Sequence, residues 1–232
     1  MRILLENPDI LVAEKTANLP TQPLQGKEGH SLASLLSAVY PELKKVGGSD
    51  WGAVHRLDVE TSGLVIFARH QRAYQQLRED FSKNRVEKEY MALVQGTVQE
   101  KGKIHWPIGA DPKSAKRVKV YKNIKEARRH EAQEAVTTYD PLTPGPSPIR
   151  WERGAEGWVR ATLLRITIKA GRRHQIRAHL AAAGHPIVGD QLYGGPKSTR
   201  LHLHASRLKF KHPRTGRLIE VVSMPAFVGS TS

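Results

Sequence analysis

The chain contains no cysteine. That excludes disulfides, thiolate zinc sites, iron–sulfur clusters and a cysteine nucleophile. It also lacks any apolar run near the roughly 18 residues that a membrane-spanning helix needs. Acids are scarce: 22 Asp and Glu stand against 37 Lys and Arg in 232 residues, a formal net charge of +15. Such an excess implies a polyanionic partner rather than a particular fold. Nucleic acid is the first candidate. A membrane surface fits less well, because there is no basic amphipathic helix with a bulky apolar face. The opening stretch, MRILLENPDILVAEK, carries early acids and no cleavage-type small residues after a long apolar run, so a cytoplasmic protein is expected.

What is present is ordinary for a globular chain: 39% apolar and 25% charged residues, enough to bury a core. Apolar runs at 3–5 and 10–14 flank Asn7-Pro8-Asp9 and predict two strands around a turn. Leu32, Leu35, Leu36 and Tyr40 have helical spacing over 31–43, ending near Pro41. Residues 64–68 predict a buried strand, and 70–84 an amphipathic helix with Ala73, Tyr74, Leu77 and Phe81 inward. Strands are expected at 88–96, 118–122, 135–139, 158–170, 201–210 and 217–222, and a helix within 171–185 that stops at Gly184 and Pro186. Residues 140–157 carry Pro141, Pro144, Pro146 and Pro148 with three glycines. They are expected to be an exposed insertion loop with no ladder through it, with an RNA-touching flap through Arg150, Trp151 and Arg153 as the alternative. Strands dominate without a βαβ rhythm, so the fold class expected is α+β: a mixed, mostly antiparallel sheet flanked by helices. A single domain over 1–232 is expected.

The positive charge is concentrated. Between Pro112 and His130 there are eight bases and one acid, and between Arg200 and Arg217 six bases and no acid. Lys116, Arg117 and Lys119 of the first run are candidate phosphate contacts, which release counterions on binding. Tyr121 among them could stack on a base. Several chemistries have no motif here: no G-x-S-x-G, no H-E-x-x-H and no paired carboxylates suited to glycoside hydrolysis. The pairs His55/Asp58, His174/His179 and His202/His204 lack a full metal-ligand set at local spacing, so no metal is expected.

One aspartate remains, in GAVHRLDVETSGLVIFARH at 52–70, with Arg56 two residues before Asp58. A carboxylate can serve glycosyl chemistry as nucleophile or acid/base, and a cation beside it keeps it charged. Arg173 and Arg177 are four apart and share a helix face, which makes Arg177 a candidate partner. Asp58 could equally cap a turn through Thr61 or Ser62. These residues leave both readings open.

The stretch VHRLDVETSGLVIFAR resembles the catalytic motif of the RluA-type pseudouridine synthases, H-R-L-D-x-x-T-S-G. KEYMALVQG, GRRHQIRAHLAAAGHPIVGDQLYGG and LHLHASRLKFKHP resemble three further motifs of that family, in the family's order, over about residues 8–225. The resemblance implies the pseudouridine synthase catalytic fold and isomerisation of specific uridines in ribosomal or transfer RNA. It implies no DNA substrate, no metal and no organic cofactor. By motif, Asp58 is the catalytic residue, Tyr90 stacks on the target base, Arg177 pairs with Asp58, and Arg56 takes the place of the displaced nucleotide. His55, Thr61, Lys88, Arg172, Arg173 and His174, in or beside these motifs, are marked as RNA-binding candidates. KTANL at 15–19 departs from the usual K-P-x-G-L, and Arg173 stands where Thr is common. An N-terminal S4 domain is not expected, and the protein is expected to be monomeric.

Overall fold

The computed structural model describes residues 2–23, 30–142, 147–149 and 159–228. In chain order its elements are β1 (Arg2–Glu6), β2 (Ile10–Lys15), α1 (Leu32–Ser37), β3 (Ser62–Ala68), α2 (Gln71–Ser82), β4 (Glu87–Gln95), β5 (Gly102–Ile104), β6 (Ile108–Asp111), β7 (Ser114–Val120), α3 (Ile124–Arg129), β8 (Thr137–Pro141), β9 (Ser147–Ile149), β10 (Val159–Ile168), α4 (Gln175–Ala182), β11 (Leu203–Lys211) and β12 (Leu218–Val222). The strands form a mixed, mostly antiparallel arrangement with helices, as the α+β expectation has it. None of the described helices is long and apolar enough to cross a membrane. The chain divides into two compact units, one of residues 1–88 and 204–232, the other of 89–203.

In the first unit, β1, β2 and β3 are antiparallel neighbours, β11 runs parallel to β3, and β12 returns antiparallel along β11. Asn7 makes the first turn by accepting from the amides of Asp9 and Ile10 at 2.9 and 3.0 Å. Every residue of β3 is buried, the pattern of a strand covered on both faces. α2 is capped by His70, whose ring accepts from the Ala73 amide, and turns Ala73 and Leu77 inward. They join Ile10, Val12, Leu64, Ile66, Leu208 and Phe210 in one core. The helix expected over 31–43 is shorter: α1 ends at Ser37, and Pro41 starts a separate 3₁₀ turn, since proline donates no amide to continue the helix.

In the second unit, β10 lies against β4, β8 and β9, and β5 extends β8. β6 and β7 form a separate hairpin. Leu93, Ala161 and Val188 pack together here. The expectation that no ladder crosses 140–157 is corrected. Residues 147–149 pair with 159–161, and Pro148 is accommodated because, among the described strands, β9 borders only β10, and a missing amide is tolerated at an edge. Arg150, Trp151 and Arg153 lie outside the described residues. α3, unforeseen from the sequence, begins at Asn123, whose side chain accepts from the amides of Lys125 and Glu126.

Candidate active site

The segment bearing Asp58 is held from three directions. The Thr61 amide donates to the Asp58 carbonyl at 3.1 Å, closing a turn over 58–61. Lys15, at the end of β2 and fully buried, sends Nζ to the carbonyls of Leu19 at 2.7 Å, Val59 at 2.9 Å and Thr16 at 3.1 Å. Just upstream, the Thr21 hydroxyl accepts from the Leu57 amide at 3.1 Å and donates to the Leu57 carbonyl at 3.3 Å. Asp58 is half-buried and Arg56 exposed. Neither Lys15 nor Thr21 was legible as part of this site; the signal available was the lysine of KTANL, the one residue of that stretch besides Leu19 that keeps the family pattern.

After the turn, Gly63 has φ +117°, and a Cβ there would lie 2.3 Å from the Ala205 carbonyl oxygen. Glycine is required because β11 passes directly alongside, His204 beside Ser62 and Ala205 beside Gly63. Ser62 Oγ contacts His204 Nδ1 at 2.8 Å, and His204 Nε2 contacts Ser223 Oγ at 3.0 Å, a buried chain that fixes the start of β3. His204 is thereby a satisfied core histidine. Thr61 is also buried, yet its hydroxyl has no hydrogen-bond partner among the described residues.

His55 stacks on Phe81 with ring centroids 4.4 Å apart, and its Nε2 accepts from the Ile66 amide at 3.1 Å. Burial, with the nearby charges of Lys88 and Arg78, pushes its pKa down to about 3, so the ring is neutral. Lys88 is buried with its ammonium 5.7 Å from the Phe81 ring centroid, and burial lowers its pKa to about 8.

In the second unit Tyr90 lies on β4 and is 9% exposed. Arg177, on α4, forms a two-bond fork with Asp190: Nε to Oδ2 at 2.8 Å and Nη2 to Oδ1 at 2.9 Å. Its guanidinium also lies 5.5 Å from the Tyr193 ring centroid. Asp190 belongs to the GHPIVGD stretch and had no role assigned from the sequence. His174 caps α4 in a left-handed conformation (φ +50°) and meets the Tyr193 hydroxyl at 3.1 Å. That hydroxyl also accepts from the Val118 amide at 2.9 Å. His179 contacts Thr137 Oγ1 at 2.8 Å and the Trp106 carbonyl at 2.9 Å, the setting of a satisfied core histidine.

The basic candidates divide by their partners. Arg173 donates to the carbonyls of Ala115 and Lys116 at 3.1 and 2.9 Å, tethering β7 to the start of α4. Arg117 pairs with Asp111, and Lys119 with Glu126 at 2.7 Å. Lys116 and Arg172 are exposed, with no carboxylate partner among the described residues. Tyr121 is corrected as a base-stacking platform. It is 1% exposed, stacked on His130 and bonded to the Ala110 carbonyl, so its ring faces are already in use.

Residues 9–182 match the family model described as RNA pseudouridylate synthase. The chain is 37% identical over 218 residues to a Chloroflexus aurantiacus protein described as an uncharacterized RNA pseudouridine synthase, covering 91% of this chain and 62% of that one. It is 31% identical over 236 residues to a ribosomal large subunit pseudouridine synthase D of Haemophilus ducreyi, covering 95% of this chain and 66% of that one. The chain therefore spans somewhat under two thirds of these relatives' lengths. A solved human structure, RNA pseudouridylate synthase domain containing 1, superposes with a TM-score of 0.75 at 24% identity, over 97% of this chain and 83% of that one, a likeness of fold.

Proposed function

The chain belongs to the RNA pseudouridylate synthase family, and on that premise we propose that it converts specific uridines in RNA to pseudouridine with Asp58 as the catalytic residue. The observation that carries this reading is the Asp58 turn itself. A half-buried carboxylate stands on a backbone fixed by Lys15 and Thr21, inside the matched stretch 9–182 that also holds Tyr90 and Arg177. Fixing a reacting group before substrate arrives removes reorganisation from the barrier.

In the reaction the N1–C1′ bond breaks, the uracil turns, C5 joins C1′, the C5 proton leaves and N1 takes up a proton, so composition and mass are unchanged. The target base must first leave its stack, at a cost of a few kcal/mol. Arg56, exposed beside Asp58, takes the vacated place in the RNA. Tyr90 stacks on the extruded base. Arg177 is the cationic partner of Asp58, its guanidinium oriented by the Asp190 fork. The Thr61 hydroxyl binds the extruded nucleotide: a buried hydroxyl without a partner costs about 1–3 kcal/mol, which a substrate contact would recover. Lys116 and Arg172 contact phosphates. Lys88 and His55 act behind the site, both packed on Phe81, with His55 tied to β3 through the Ile66 amide.

The substrate is ribosomal or transfer RNA, with large-subunit ribosomal RNA favoured by the name of the Haemophilus ducreyi relative. The protein acts as a cytoplasmic monomer. Pseudouridine mapping of total RNA from cells with and without the gene tests this. One or a few positions that lose pseudouridine without the gene, and regain it with wild type but not Asp58→Asn, support the reading. Identical maps would overturn it.

A further inference from the structure

The first unit carries a second basic surface, away from the Asp58 turn. β3 leaves that turn at Ser62 and ends at Ala68, and β11 runs parallel beside it. The Lys211 end of β11 therefore lies at the Ala68 end, roughly 20 Å from the turn at a strand rise of ~3.3 Å per residue. There the structure opens a groove of about 850 Å³ between α2 and the β11–β12 hairpin, lined by Arg85, Lys209, Lys211 and Arg214 among others. It shares Pro213 and Arg214 with an adjoining hollow of about 330 Å³ that reaches Arg72.

The acids near this surface are already matched. Asp80 pairs with Arg85 at 3.1 Å, and Glu87 with Lys209 at 3.3 Å. Asp9, buried, receives Arg214 at 2.9 Å and His70 at 2.9 Å, with His212 at 3.5 Å. The amides of Arg214 and Thr215 donate to His212 Nδ1, so the turn between β11 and β12 is shaped in advance. Lys211, Arg217 and Arg72 remain exposed, with no carboxylate partner among the described residues. Lys211 in the groove, Arg72 in the adjoining hollow and Arg217, in sequence between the groove residues Gly216 and Leu218, make a surface of net positive charge, suited to a phosphate chain.

We propose that this groove is a second RNA-backbone site, which takes phosphates about six nucleotides from the target uridine at the ~3.4 Å per step of a stacked strand. It rests on RNA being the substrate, and it adds a length requirement: the enzyme reads the flank of its target as well as the target. An extended flank, not the extruded base, supplies a share of the affinity.

The test is binding of two uridine-containing RNAs, one of about 30 and one of about 5 nucleotides, the shorter unable to span both sites. The protein is wild type or a variant carrying Lys211→Ala, Arg217→Ala and Arg72→Ala together. All three side chains are exposed, and an unchanged melting temperature confirms an intact fold. The long RNA should lose at least ~5-fold in affinity at about 0.1 M salt, and its slope of log K against log salt should shrink by ~2, about 0.7 per cation removed. The short RNA should bind both proteins alike, and Lys211→Arg should bind like wild type. Unchanged affinity and slope for the long RNA would overturn the proposal and leave the groove to an acidic polypeptide. Equal losses for both lengths would overturn it too, by placing these cations at the catalytic turn. Wild type that binds the long RNA through the groove but forms no pseudouridine would end the functional reading alone.

Discussion

Arg177 and Asp190 are joined by two hydrogen bonds in the interior of one unit, with side-chain exposures of 3% and 0%. The guanidinium that the motif assigns to the catalytic carboxylate is thus already oriented by another. The planar fork matches both carboxylate oxygens and fixes the direction in which the remaining N–H groups point.

Removing one side of a buried pair leaves the other charge uncompensated. Asp190→Asn should therefore lower stability by about 3–5 kcal/mol, measured by urea unfolding. Turnover should fall as well, because Arg177 loses its orientation. A loss below about 0.5 kcal/mol would show that the fork is not what holds Arg177.

Lys15→Met keeps most of the volume and removes the donor that serves three carbonyls. Unpaired buried acceptors cost about 1–3 kcal/mol each, so a loss of a few kcal/mol is expected. Turnover should drop at least ~10-fold at saturating RNA, since a displaced reacting group is slow even when substrate is bound. Wild-type turnover in a destabilised Lys15→Met protein would mean the turn does not need this tether.

Thr61→Val separates folding from function. The hydroxyl has no hydrogen-bond partner among the described residues, so its loss should leave the melting temperature equal or higher. If the group serves the extruded nucleotide, kcat/KM should fall about 10-fold, the worth of roughly one hydrogen bond. A less stable variant with unaltered kcat/KM would assign the hydroxyl to the fold instead.

His55 is neutral in the folded state down to about pH 3, while an unfolded histidine takes up a proton near 6.5. Between these values the unfolded chain binds more protons, so stability falls as pH falls, at up to ~1.4 kcal/mol per pH unit from this group. Lys88 works at the other end: with its folded pKa near 8, stability from this group rises between pH 8 and the ordinary lysine value of 10.5. Melting curves for wild type and His55→Gln between pH 7 and 4.5 should show a shallower acid slope in the variant. Parallel slopes would mean that the ring is protonated in the folded protein.

Local pattern carried much of the fold. The apolar run at 64–68 is buried as β3, and the spacing of Ala73 and Leu77 marks the inner face of α2, because periodicity records burial directly. It failed where a contact, not a period, decides. α3 depends on the Asn123 cap, and β9 on three residues finding β10 inside a proline-rich stretch. For the candidate site, the motif puts forward Asp58, Tyr90 and Arg177, the set proposed to carry the chemistry. Lys15, Thr21 and Asp190 were not legible, since a lysine holding carbonyls of Leu19 and Val59, or a fork between residues thirteen apart, leaves no local pattern. Tyr121 misled because a tyrosine among lysines reads as exposed until the hairpin is seen to fold over it.

The most direct measurement is tritium release from RNA carrying 5-tritiated uridine, with wild type and Asp58→Asn at saturating protein. Wild type should release tritium with the RNA chain left intact. Asp58→Asn should bind the same RNA and release none above background, a loss of at least ~10³-fold, or about 4 kcal/mol of barrier. Equal release by both proteins would contradict the assignment of the chemistry to Asp58.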